Sequence, residues 1–526
     1  MGTYINTGND RFRSTRKREY VDKSELIAVI NDTLDTDIRY TCVTRCRRFG
    51  KSMAAKMLCA YYDQSCNSRS LFEDLKIAKD SSFEQHLNKY PVIYLDMTEF
   101  TSRDGLPVSD IVPILQKELK EDVLKVYPLE EQETEGDLMT TLTKIKERYQ
   151  VKFIMIIDEW DAVCRESLND KDSMDRYVNL LRRLFKGSQS ELVFAGVYMT
   201  GILPIKKYNT ESALNNFREY SMVVPGKLSG YFGFTKDEVR VLAEKYDMDF
   251  AELEKWYDGY QIGNVPSIFN PNSVMTALDN GACLGYWSAT GAYDAVSRYI
   301  SMNYGGLKDD ILKLLGGGRA KVKTTTFDND LSQISSRDDV LTVLIHLGYL
   351  SFDWRKNECY VPNKEVSDVL SNAVSETSWK NVADALRDSD ELLEATLNGD
   401  EQAVAAALES AHDENTSILS YNNENSLACV ISLAYFSARN DYKITREMPS
   451  GKGFADMIFI PRKNVDKPAL VVELKVDKSA ETAISQIKRK NYPASLADYA
   501  DNLLLVGINY DKKTKTHTCK IEKYIG

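Results

Sequence analysis

The chain has 526 residues, 43% of them hydrophobic and 28% charged, with a formal net charge of −11. That length exceeds a single hydrophobic core and predicts about two to four domains. The acidic balance excludes a wholly basic nucleic-acid coat, and no apolar run approaches the roughly 18 residues of a membrane helix. No signal peptide is read at the start, so a cytoplasmic protein without membrane association is expected. The nine cysteines are scattered, and no close pairs of Cys or His combine into a zinc site. Charge is uneven along the chain: 371–440 holds 3 Lys/Arg against 12 Asp/Glu, whereas 441–526 holds 16 against 11. That shift predicts a boundary and puts any DNA contact late in the chain.

In chain order, "RYTCVT" (39–44) predicts a strand, "RCRRFGKS" (45–52) a loop, and "SMAAKMLCAYYD" (52–63) a helix. Further apolar runs at 91–97, 152–161 and 191–201, separated by helical stretches, predict a parallel α/β sheet. The pattern changes after about 235. Thr235 and Glu238 form the signature of a capping box opening a helix. The aromatic stretch 255–278 is turn-rich and then helical, and 306–350 and 365–410 are mainly helical. "LACVISLAYF" (427–436) reads as a buried helix. Beyond it come strands at 441–447, 454–460 and 469–476, a helix at 479–491, and strands at 502–509 and 516–522.

The loop ends in Gly50-Lys51-Ser52, but a standard P-loop would begin with Gly where Arg45 stands. Backbone N–H groups from Arg47, Arg48, Phe49, Gly50, Lys51 and Ser52 can wrap a phosphate at a helix N-terminus. Lys51 can reach terminal phosphate oxygens, and the Ser52 hydroxyl can hold Mg²⁺ together with Asp158. Glu159 is placed to polarise a water, Thr200 to sense the γ-phosphate, and Asp96 to take a supporting role. ATP and Mg²⁺ are the expected ligands.

"FADMIFIPRKNVDKPALVVELKV" (454–476) reads as strand, turn, strand. A symmetric turn centred between Asn464 and Val465 sets Asp456 opposite Glu473, with Cβ atoms about 4.5–5.5 Å apart. Two opposed carboxylates repel unless a cation lies between them, and Mg²⁺ suits oxygen ligands. Lys475 shares the strand face of Glu473, while Val472, Leu474 and Val476 point the other way, into a core. Glu424 is a further candidate metal ligand on the preceding helix. Gln486 and Lys490 share a helix face, with Lys488 and Arg489 beside them, placed to meet nucleic-acid phosphates.

These stretches, with "YVDKS", "TGILPIKKYNTESALNNF", "YFGFTKDEV", "WYDGY", "FNPNSV" and "HLGYL", follow one order along nearly the whole chain. The sequence resembles the AAA-ATPase-like family of bacterial proteins that carry a C-terminal PD-(D/E)XK nuclease-like domain. The family loop usually reads R-P-R-R-F-G-K-S, so the missing first Gly is normal for it; Cys46 departs where Pro is typical. The resemblance implies an α/β protein with a P-loop (AAA/ASCE-type) parallel-sheet domain over 1–235, a mostly helical middle domain over 236–410, and a PD-(D/E)XK nuclease-like α/β domain over 411–526. It also implies metal binding by Asp456 and Glu473, activation of the nucleophilic water by Lys475, and the helical acid role for Glu424. A nucleotide-gated, Mg²⁺-dependent DNA phosphodiesterase is the expected function. A non-catalytic nucleotide switch and a nuclease with an inactive ATPase module are the alternatives.

Overall fold

A computed structural model describes residues 2–524 apart from 168–169, 206, 209–210, 213, 288–291, 303, 376–387, 416–426, 428–430, 433, 440, 451–452, 463–464, 491–495, 497–498 and 500. The chain divides into two compact units, Met1–Tyr286 with Lys321–Glu365 and Trp287–Ala320 with Val366–Gly526. Among the described residues no helix is long and apolar enough to cross a membrane.

The first unit is built on five strands: β1 (Tyr40–Thr44), β2 (Val92–Asp96), β3 (Phe153–Asp158), β4 (Phe194–Gly201) and β5 (Arg218–Tyr220). They lie in the order β2-β3-β4-β1-β5, all parallel. Strands β1, β3 and β4 are buried along their whole length, which is why the sequence there reads as unbroken apolar runs. One face carries α1 (Lys51–Tyr62), whose Ala55, Leu58 and Tyr62 pack on Val43, Ile154 and Ile156. The other face carries α2 (Val108–Val126), α3 (Leu138–Tyr149) and α4 (Lys171–Phe185), with Leu119, Leu142 and Leu181 packed against Met155, Ile157 and Met199. The register pairs Val43 with Thr200, Asp96 with Asp158, and Ile157 with Met199. The carboxyl ends of β1 to β4 therefore finish along one edge, the position at which open α/β sheets bind ligands.

Strand β5 was not foreseen in the sequence reading. It is three residues long, partly exposed and paired only at the sheet edge, too short to show a period. Two further elements of the first unit are α5 (Lys236–Lys245), opened by the expected Thr235/Glu238 capping box, and α6 (Pro271–Asn280). The aromatic stretch between them folds as a short antiparallel hairpin, Tyr260–Ile262 with Val265–Phe269. Of the segment 236–410, residues 236–286 and 321–365 belong to the first unit and the rest to the second. Specific side chains bind it there: Tyr260 stacks edge-on against Phe49 at 5.0 Å and donates to the Gly348 carbonyl at 2.9 Å.

The second unit holds β6 (Tyr442–Ser450), β7 (Gly453–Pro461), β8 (Ala469–Val476), β9 (Leu503–Asp511) and β10 (Thr516–Lys523), adjacent in that order. Only β8 and β9 run parallel, and the crossover joining them carries α9 (Ala480–Arg489), as parallel pairing requires. α7 (Ser389–Leu397) and α8 (Glu401–Asn415) lie in the same unit. Leu392, Leu408, Val472 and Leu474 form one core, and Val471, Ile484 and Ile487 the core on the opposite sheet face. Within the expected buried helix at 427–436, Leu427, Ile431 and Ala434 are buried.

Candidate nucleotide and metal sites

β1 turns through the loop into α1 with two left-handed residues, Arg48 at φ +67° and Gly50 at φ +88°. Gly50 caps the helix, where a residue with a Cβ would be strained. Arg45, in the place of the usual first glycine, is wholly buried. Its guanidinium donates to the carbonyls of Thr44 (2.8 Å), Tyr220 (2.8 Å) and Leu228 (3.2 Å) and lies over the Phe232 ring. Arg45 thus fastens the ends of β1 and β5 to the turn that follows. Burial pulls its pKa down to about 10.

Of the proposed phosphate-loop residues, Arg47 is exposed and Arg48 half-buried. The Phe49 ring belongs to the core against Tyr260, leaving its backbone to the loop. Lys51 is buried, donates to the Cys46 carbonyl at 3.2 Å and lies 3.3 Å from Glu159 Oε1. Asp158, at the end of β3, accepts hydrogen bonds from the Thr200 and Ser52 hydroxyls and from Tyr94. Burial pushes its carboxyl up, against those hydrogen bonds. Asp96 instead caps a short helix, accepting from Thr98 N at 3.0 Å. Burial alone would raise Glu159, but Lys51 and Arg165 outweigh it and hold the carboxyl below its usual range.

A cavity of about 780 Å³ opens over this loop, within the range of small-molecule sites. Arg48 to Ser52 and Glu159 line it, as do Tyr20, Tyr231, Phe234, Tyr246 and Met275. Cationic loop and aromatic wall together suit a ligand with a phosphate chain and a flat apolar ring. The Ser52 and Asp158 oxygens meet at the loop, a hard-oxygen donor set of the kind Mg²⁺ takes alongside phosphate.

The second site is on the β7–β8 hairpin. The ladder pairs Met457 with Val472, Ile458 with Val471 and Phe459 with Leu470. This is the expected register, and it brings Asp456 beside Glu473. Asp456 Oδ2 accepts from the Leu474 N–H at 2.7 Å. Glu473 and Lys475 are both buried, with Lys475 Nζ 2.8 Å from Glu473 Oε1. Gln486, on α9, donates to the same carboxylate oxygen. Among the described residues, Glu473 Oε2 is buried with no hydrogen-bond partner, an arrangement costly in a finished core but suited to a metal ligand. Burial and the nearby Asp456 raise the Glu473 carboxyl to about 7 despite Lys475.

Gly507, opposite Glu473 on β9, lets α9 approach: a Cβ there would meet the Ala480 carbonyl at 2.4 Å. Of the candidate phosphate contacts, Lys488 pairs with Glu522, Arg489 is exposed, and Lys490 adds positive charge near Glu473. Glu424 lies outside the described residues. Among the described residues no three His, Cys, Asp or Glu cluster as a metal site, so the hairpin offers two carboxylates.

The sequence reading missed Asp161 and Arg165, which pair four residues apart at 3.2 Å, Arg165 also reaching Glu159. Their spacing just after Asp158-Glu159 was the available signal.

Residues 7–210 match the family described as "Predicted AAA-ATPase", and residues 422–520 match the PD-(D/E)XK nuclease superfamily. No curated protein matches the chain. Among solved structures, the ORC2 protein of Aeropyrum pernix in its ADPNP–ADP complexes is similar at 10% identity, covering 67% of this chain and 94% of that one, with a TM-score of 0.26. Its ADP form aligns at 10% identity over 67% and 93%, with a TM-score of 0.27. The five-stranded parallel sheet with its P-loop and the C-terminal mixed sheet agree with the two family matches. The chain therefore joins an AAA-ATPase-like module to a C-terminal member of the PD-(D/E)XK nuclease superfamily.

Proposed function

We propose that the protein binds ATP with Mg²⁺ at the P-loop and cleaves DNA phosphodiesters at the β7–β8 hairpin, with nucleotide state gating or positioning the cleavage. In this reading 1–235 is the AAA-ATPase-like P-loop domain, 236–410 a mostly helical middle domain and 411–526 the PD-(D/E)XK nuclease-like domain. Lys51 and the loop N–H groups of Arg47 to Ser52 hold phosphate, Ser52 and Asp158 hold Mg²⁺, Thr200 reads the terminal phosphate, and Glu159 orients the attacking water. Asp456, Glu473 and Glu424 hold the second metal, which supplies Lewis acidity and a more acidic bound water when present. Lys475 stabilises charge developing on the phosphate. Gln486, Lys488, Arg489 and Lys490 form the edge nearest the DNA backbone, Gln486 also steadying Glu473.

The observation that carries the reading is the Glu473–Lys475 pair. Among the described residues, a buried carboxylate keeps one oxygen without a partner while a buried ammonium and an in-register second carboxylate stand beside it. A purely structural hairpin gains nothing from such a group, since two apolar residues would be cheaper to bury.

The test incubates purified protein with plasmid and with single-stranded DNA, with Mg²⁺ or EDTA, with and without ATP. Mg²⁺-dependent cleavage that Lys475→Ala lowers by about 100-fold or more supports the assignment. Cleavage indifferent to ATP and to Lys51→Ala would remove the gating step. No cleavage in any arm would leave the hairpin without a nuclease role.

A further inference from the structure

Glu159 has a backbone φ of +51°, a left-handed conformation that residues with a Cβ seldom adopt. Its surroundings hold it there. The Glu159 N–H donates to Thr200 Oγ1 at 3.3 Å, and the next N–H, of Trp160, donates to the Thr200 carbonyl at 2.7 Å. The carboxylate is shared between two cations: Lys51 lies 3.3 Å from Oε1, and Arg165 donates to Oε2 at 2.6 Å.

The two cations are not equivalent. Lys51 lines the cavity beside the loop, open to a phosphate entering there. Arg165 is absent from the cavity lining and is anchored elsewhere, 3.2 Å from the fully buried Asp161. Asp161 in turn accepts from the N–H groups of Ile202 (3.2 Å) and Leu203 (3.0 Å), directly after β4. Even the close approach is provided for: a Cβ at Gly201 would meet Asp161 Oδ1 at 2.7 Å. Arg165 is thus fixed to the strand end that carries Thr200.

We propose that Arg165 is a positioning residue for Glu159, keeping its carboxylate aimed into the cavity when nucleotide phosphate draws Lys51 away. This rests on the nucleotide reading of the P-loop. A phosphate binding at Lys51 removes one of the two charges on Glu159. The other, held by Asp161, stays. Without Arg165 the carboxylate follows Lys51 or swings free, and the water it orients is lost.

The test measures ATP turnover and nucleotide affinity in the full-length protein with Mg²⁺. Turnover in the wild type that Glu159→Gln lowers by about 100-fold, leaving a measurable residual rate, establishes the ATPase reading whatever Arg165 does; no turnover in the wild type overturns that reading and this one with it. Given wild-type turnover, Arg165→Ala should lower kcat by about tenfold or more while nucleotide Kd changes less than about threefold. Arg165→Lys, which keeps the charge but loses the two-sided fork, should recover part of the loss. In the Glu159→Gln background, Arg165→Ala should change the residual rate by less than about twofold, since it acts through Glu159. Unchanged kcat in Arg165→Ala, a raised kcat, or additive losses in the double variant would each overturn the assignment. Should Arg165→Ala fail to fold, Arg165→Lys carries the same comparison, and equal kcat in Arg165→Lys and wild type then overturns it.

Discussion

Lys51 and Glu159 face each other at 3.3 Å, both largely buried, so the P-loop ammonium is neutralised by the acid expected to direct water. On the proposed nucleotide reading, a bound phosphate displaces this contact. ATP with Mg²⁺ at about 100 times its Kd should stabilise the wild type by about 2.7 kcal/mol. Lys51→Ala should lose that shift in thermal unfolding. Equal nucleotide-induced shifts in the two proteins would show that Lys51 does not meet the ligand.

Arg45 donates to three carbonyls from a fully buried position. Arg45→Ala leaves those acceptors without their cation and should destabilise the protein by about 3 kcal/mol or more. Denaturant unfolding of the full chain measures this. If Arg45 instead served the nucleotide directly, affinity would collapse while stability held.

Glu473 gives a pH dependence in metal-free protein. Its folded carboxyl is raised to about 7 by burial and by Asp456, against Lys475 and Lys490, from its ordinary value of 4.5. Between those values the folded state binds more protons than the unfolded chain, so this contribution to stability is full below about 4.5 and is lost as pH rises through about 7. A shift of that size corresponds to a loss of roughly 3 kcal/mol. Unfolding in EDTA at pH 5 and pH 8 should show the decline, and Glu473→Gln should flatten it. A decline of equal size in the variant would assign it to other groups.

Gly507 sets the distance between α9 and the sheet. Gly507→Ala puts a methyl against the Ala480 carbonyl and should destabilise by about 1–3 kcal/mol. Because α9 carries Gln486 onto Glu473, DNA cleavage should fall as well. Full stability in the variant would mean the helix has room to shift.

The hairpin site was legible because it is local. Counting outward from Asn464 and Val465 as for a symmetric turn gives the register in which Met457 meets Val472, and alternation then separates Glu473 and Lys475 from Val472 and Leu474. The P-loop context was legible for a related reason: a parallel sheet buried on both faces writes each strand as an apolar run, with Asp158 marking where one run stops. What Gln486 and Lys488 touch was not legible, since their partners Glu473 and Glu522 lie on other elements.

By itself, then, the sequence determined the strand–loop–helix order, the acids at strand ends and the hairpin register, all set by periods of two and 3.6 residues and by turn geometry. Only tertiary structure decided that Arg45 fastens the sheet end, that Arg165 shares Glu159 with Lys51, and that β5 exists. Each depends on groups far apart in the chain, such as Tyr220 and Leu228 for Arg45. A guanidinium's role follows from which carbonyls or carboxylates surround it, and only the folded chain brings those acceptors together.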